Sequence, residues 1–211
     1  ILYGRITTIQ AKMAHATLLD NPQLIASLEG QIPNPETTRM VGVSASFLLY
    51  TSDAVYSLDS ARGVITQLDT QAKLPSIQCA TAKDSRYTFF CIGQSNRLGL
   101  LDAKEKTVKT VSIDFHAKEK GISALSMYNN RLYVLDRNSN MVYRHQKDGD
   151  DFGSGIPWLK EQNVNLASAR DIALDGTVFL LASPTTLLQF SAGKQEPFTL
   201  PTIEPPLENI T

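Results

Sequence analysis

Residues 131–145 read RLYVLDRNSNMVYRH, two short apolar strands joined by a polar turn. The same pattern recurs as FLLYTSDAVYSL at 47–58, YTFFCIGQSNRLGLL at 87–101 and TVFLLASPTTLLQF at 177–190. Aligned on Tyr56, Gly99, Tyr143 and Leu188, the four pairs are spaced by 43, 44 and 45 residues. A period of about 40–50 residues with several short strands per unit is that of β-propeller blades. A β-sandwich also shows many short strands and turns, but it lacks this recurrence of strand order and turn type. Strands such as LYVLD and VFLLA are apolar at nearly every position. Both of their faces therefore need cover, and stacked neighbouring units supply it.

Working outward, each unit divides into four strands. The first has MVGVSA, FLLYTS, AVYSLD and VITQLD; the second has IQCATA, YTFFCIG, RLGLLD and VKTVSID. The third has ISALSMY, RLYVLD and MVYRHQ, followed by an irregular stretch around Ile156-Pro157-Trp158-Leu159. The fourth has RDIALD, TVFLLA, TLLQFS and EPFTL. Asp84-Ser85, Asn129-Asn130 and Asp175-Gly176 supply the first turn of the later units, being residues that tolerate positive φ or bond their own backbone. The expected fold is all-β: a propeller domain over 37–211 with four four-stranded blades at about 39–76, 77–118, 119–163 and 164–200.

The first 36 residues read differently. Ile6, Ile9, Met13 and Ala16 stand at helical spacing. Asn21 and Pro22 fit the cap and first position of a second short helix, running to about Glu29 and stopping at Gly30. Pro33 and Pro35 mark a linker. Residues 1–36 are thus expected to form a helical leader or stalk outside the sheet domain. At the other end, Pro201-Thr202-Ile203-Glu204-Pro205-Pro206 continues as if entering a fifth unit. The expectation is a ring of six or more blades, incomplete in this chain. The first residue is Ile, which suits a processed or partial chain with any membrane anchor lying upstream.

Composition narrows the function. Of 211 residues, 42% are hydrophobic and 19% charged, with a net charge of −1. That balance is ordinary for a folded domain and provides no basic stripe for nucleic acid. No apolar run reaches the ~18–20 residues that span a bilayer.

Cys79 and Cys91 lie in consecutive strands of the second unit. A three-residue turn centred on Ser85 would set them opposite each other, whereas a two-residue turn would point them to opposite faces. Opposed, they form either a disulfide, as an oxidising compartment permits, or a pair of small buried thiols.

Other candidate residues carry little chemistry. His15, His116 and His145 are scattered, without metal-ligand spacing. There is no GxSxG elbow and no residue beside either cysteine that would activate it. No cofactor motif is present, so none is expected. Asp151-Phe152-Gly153 matches a kinase tripeptide without its companions, and Lys147-Asp148-Gly149-Asp150-Asp151 reads as an acidic turn rather than a calcium loop. Asp59 and Asp102 follow equivalent strands and suit turn-forming side chains. Trp158, the single tryptophan, reads as an anchor packed on the outside of a blade. Tyr50, Tyr56, Tyr133 and Tyr143 read as packing between blades.

The second unit, ATAKDSRYTFFCIGQSNRLGLLDAKEKTVKTVSI, resembles the YVTN-type propeller repeat. The fourth, RDIALDGTVFLLASPTTLLQFSAG, is similar to blades of NHL and lactonase-like six-bladed propellers. The YVTN and NHL tetrads themselves are missing. The resemblance covers about residues 39–200 and implies a propeller repeat protein. A lactonase-like relationship implies a central divalent metal held by carboxylates and amides, for which Asp171, Asp175 and Asn130 have the right types. The stalk-plus-propeller order also resembles the outer part of bacterial envelope proteins, some with a cytoplasmic PPM-type phosphatase. The expected function is a non-enzymatic, extracytoplasmic module binding a protein, peptide or glycan on the propeller face. The alternatives are a metal-dependent lactonase-class enzyme and a ligand-sensing domain of a signalling protein.

Overall fold

The computed structural model describes residues 23–43, 46–69, 74–93, 96–161 and 163–199. They form four antiparallel sheets, three of them simple meanders. Sheet 1 holds β1 (Arg39–Val43), β2 (Ser46–Tyr50), β3 (Val55–Asp59) and β4 (Val64–Gln67). Sheet 2 holds β5 (Ile77–Ala82), β6 (Tyr87–Ile92), β7 (Arg97–Asp102) and β8 (Thr107–Ser112). Sheet 3 holds β9 (Ala124–Tyr128), β10 (Arg131–Asp136) and β11 (Met141–Asp148), with β12 (Asp151–Phe152) and β13 (Ile156–Pro157) both paired to β11. Sheet 4 holds β14 (Asp171–Leu174), β15 (Val178–Ser183), β16 (Thr186–Ser191) and β17 (Lys194–Glu196). The described residues form four blades of a β-propeller repeat.

Strand alternation explains the stacking. Successive side chains of a strand point to opposite faces. In β10, Leu132 and Val134 join the core between sheets 2 and 3, whereas Tyr133 and Leu135 join the core between sheets 3 and 4. In β6, Phe89 and Cys91 face sheet 3 while Phe90 faces sheet 1. β15 differs: Val178 and Leu180 pack toward sheet 3, but Phe179 and Leu181 are only half-buried. The turn between β9 and β10 places Asn129 and Asn130 at φ of 48° and 57°, the hand that matches strand twist in a two-residue hairpin.

Two expectations on boundaries are corrected. The last strand of sheet 4 is Lys194–Glu196, not EPFTL. Ala192 and Gly193 take positive φ and fold Lys194 back onto Ser191, leaving Phe198 to meet Phe179 edge-on at 5.6 Å. The leader is corrected where it is described; the Ile6–Ala16 helix, with Asn21 and Pro22, lies outside the described residues, as do residues 200–211. Residues 23–29 are not helical, and the only helical turn among the described residues is the 3-10 turn Pro35–Thr37. So short a helix gains little by itself. The segment instead covers the outer face of sheet 1. Ile32 is buried against Leu49 and Tyr56, with Leu28 beside it, and Gln31 Oε1 accepts the Ile65 N–H at 3.3 Å. Gly63 permits this approach, since a Cβ there would lie 2.4 Å from the Ile25 carbonyl oxygen.

Turn carboxylates act as the sequence suggests. Asp59 accepts the N–H groups of Ala61 and Arg62, and Asp102 those of Lys104 and Glu105. Arg86 adds a forked bond to Asp102 through Nε and Nη2. This partner, with the turn N–H groups, holds the Asp102 carboxyl down to about 2. Its folded value lies below the unfolded one of about 3.9, so its stabilisation is complete above that value and disappears as pH falls toward about 2. Asp102→Asn should therefore flatten the acid limb of melting temperature between about pH 4 and pH 2. Calorimetry across that range checks it, and an unaltered slope would refute it.

Candidate ligand site at the head of the inner strands

The first strands of the four sheets touch in series: β1 with β5, β5 with β9 and β9 with β14. Arg39, leading β1, donates through Nη1 to the carbonyl of Gln78 in β5. It also interacts electrostatically with Asp171, which leads β14 in the fourth sheet. Tyr50 stands opposite Arg39 in the β1–β2 ladder. Its hydroxyl lies within the electrostatic reach of the Arg39 side chain. Phe90 meets the Tyr50 ring edge-on at 5.7 Å and fixes its orientation. Three polar side chains from blades 1 and 4 thus gather beside the inner strands.

Their electrostatics follow from that position. Burial raises the Tyr50 pKa above its ordinary value; Arg39 works against the shift and Asp171 with it. Burial likewise raises Asp171, opposed by the Ile172 N–H at 2.8 Å and by Arg39. By surface area Asp171 is nevertheless exposed to solvent. The set presents a guanidinium with spare donors, a phenol, and a carboxyl that protonates more readily than usual. A polar ligand with both donors and acceptors finds partners there.

Other candidate residues are placed as follows. Asp175 and Asn130 sit in turns beyond the far ends of β14 and β9. Asp175 is four residues beyond Asp171, about 13 Å along an extended strand, so the three proposed metal ligands are not assembled. Asp151 accepts the Ser112 N–H at 2.8 Å and ties β12 to sheet 2. Trp158 is corrected: it lies at the junction of sheets 3 and 4, edge-on to Tyr133 at 5.8 Å, not on an outer blade surface. Tyr56 packs under the covering segment rather than between blades.

Cys79 and Cys91 are disulfide-bonded, with Cα atoms 5.1 Å apart. The pairs Ala80↔Phe90 and Ala82↔Thr88 centre the hairpin on Ser85, as the three-residue turn requires. The bulge between Ile77 and Ala80 is accommodated next to the bridge.

Two buried groups were not apparent from the sequence. Asp136 is fully buried and accepts from Lys120 N, Asn138 N, Ser139 N and Ser139 Oγ. His145 is also fully buried, with Nδ1 3.0 Å from the Gly153 carbonyl oxygen and Nε2 3.0 Å from Glu119 Oε1. Glu119 Oε2 accepts the His116 N–H at 3.0 Å, and the His116 ring stacks on Tyr143. No local motif announces this pair, since its members are 26 residues apart.

No protein-family model and no curated protein matches the sequence. Solved structures do match the fold. A streptogramin B lyase structure superposes with a TM-score of 0.55 at 14% identity, covering 81% of this chain and 57% of that one. YCF48 bound to a D1 peptide gives 0.53 at 13% identity, over 81% and 56%. Myxococcus xanthus glutaminyl cyclase gives 0.53 at 13% identity, over 75% and 68%. This chain therefore spans little more than half of the first two of these proteins.

Proposed function

We propose that this propeller is a non-enzymatic binding module, displayed outside the cytoplasm as part of a larger membrane-anchored protein. It takes a protein, peptide or glycan ligand at Arg39, Tyr50 and Asp171. The observation that carries the reading is the convergence of opposite charges and a phenol, from blades 1 and 4, on ground that solvent reaches. The Cys79–Cys91 bridge supports an oxidising compartment. The fold itself accommodates different uses, as the similar structures include a lyase and a peptide-bound protein.

Peptide and glycan arrays probed with this chain test the proposal. A hit should lose at least about tenfold in affinity in Arg39→Ala and in Asp171→Asn, the scale of one charge-assisted hydrogen bond. The melting temperature of Asp171→Asn should stay close to that of the parent. Equal binding by both variants would remove this site from consideration, and chemical turnover of a hit would overturn the non-enzymatic reading.

A further inference from the structure

The face of sheet 4 turned away from sheet 3 is apolar. Phe179 and Leu181 alternate along β15 with Val178 and Leu180, which pack toward sheet 3, and Leu187 stands opposite Leu181 in the ladder. All three are half-buried, and none of them joins a buried cluster among the described residues. Ala173, opposite Phe179, is exposed. A stacked blade needs cover on both faces.

The chain itself turns onto this face. After β17, Phe198 meets Phe179 edge-on at 5.6 Å while remaining 37% exposed. A groove of about 480 Å³ has Leu187, Leu188, Pro197 and Phe198 in its wall, and Thr199, where the described residues stop, lines it too. Residues 200–211 follow in the sequence, with Leu200, Ile203, Leu207 and Ile210 as their large apolar members. A segment of that length reaches about 40 Å when extended, whereas four strands ~4.8 Å apart make a sheet about 15 Å across. Glu161 and Glu196 also wall the groove. Like charge therefore keeps Glu204 and Glu208 out of it and leaves the apolar residues to enter.

Sheet 1 meets the same need in the same way. Its outer face is covered by a stretch in which Ile32, with Leu28 beside it, packs on Leu49 and Tyr56, and prolines follow at 33 and 35. Residues 203–207, Ile-Glu-Pro-Pro-Leu, have that character again. Proline has no N–H to pair and a fixed φ, which suits a chain lying across side chains rather than joining a ladder. We propose that residues 200–211 fold back over the outer face of sheet 4 as a strap, seating Ile203 and Leu207 on Phe179, Leu181 and Leu187. These three residues take no part in the Arg39–Asp171 site, so either reading stands without the other.

Amide exchange of the 211-residue chain tests the strap. Ile203→Asp/Leu207→Asp should speed exchange in β15 and β16 at least about tenfold, the scale of uncovering two partly buried aliphatic side chains, and should leave β6 unchanged. Glu204→Gln/Glu208→Gln should alter neither. In the parent, protection of β15 and β16 should not depend on protein concentration. Loss of that protection on dilution would assign the face to a second copy. Equal exchange in parent and Asp variant would assign it to another protein or a further blade, and acceleration shared equally by β6 would mark a general loss of stability. Each of these three results would overturn the proposal.

Discussion

Replacing His145 with alanine should destabilise the propeller by about 3–5 kcal/mol, the cost of breaking a buried ion pair by removing one partner. The reason is a count of protons. Gly153 O can only accept, so His145 Nδ1 must donate to it. His145 Nε2 then faces Glu119 Oε1 at 3.0 Å, and a proton must lie on that line, whether on nitrogen or on oxygen. Either way the pair is neutral as a whole, and both side chains are sealed from water. Glu119→Ala strands His145 Nε2 and the His116 N–H together, so it should match His145→Ala. Glu119→Gln should cost only about 1 kcal/mol. Its amide can donate to neutral Nε2 while its carbonyl accepts from His116. Urea unfolding of the three variants measures the ordering, and a Gln variant as damaged as the Ala variant would falsify the proton count. Gly155 belongs to the same device: a Cβ there would lie 2.7 Å from both Glu119 Oε2 and His145 Cε1.

The double variant Cys79→Ala/Cys91→Ala should lose about 3 kcal/mol, the loop-closure entropy expected for cysteines separated by 12 residues. For a domain of this size that corresponds to a drop of roughly 6–12 °C in melting temperature. Both cysteines are buried at the junction of sheets 2 and 3, so the bridge should resist mild reductant until the protein opens. Thiol titration of oxidised protein should find no free thiol before unfolding in reductant. Two free thiols, with no effect of reductant on melting, would contradict the assignment.

The blades were legible because a strand covered on both sides must be apolar throughout, and β6 and β10 show that composition directly. Turn chemistry was legible for the same local reason: Asn129-Asn130 and Asp102 act on backbone a few residues away. The covering segment was not. Gly30, Pro33 and Pro35 look like linker chemistry, and Ile32 becomes core only because the outer face of sheet 1 lies beneath it. The His145–Glu119 pair and the Arg39–Asp171 electrostatic interaction were hidden for another reason. Each joins residues far apart in sequence, and no periodicity records which connection crosses which blade. Trp158 was misplaced because an irregular stretch after β11 hides its return to the sheet through β13.

The order of the cores has a consequence for cooperativity. The covering segment meets sheet 1, sheet 1 meets sheet 2, sheet 2 meets sheet 3, and sheet 3 meets sheet 4, each through its own cluster of side chains. Energetically this is a row of nearest neighbours, in which each link is broken separately. Sheets 2 and 3 hold two links apiece, along with the disulfide and the buried His–Glu pair. Among the described residues sheet 4 holds a core link on one side only, with Phe179 and Leu181 half-covered on the other. Partial opening should therefore begin as fraying at the fourth blade, and the slowest amide exchange should mark the middle of the row.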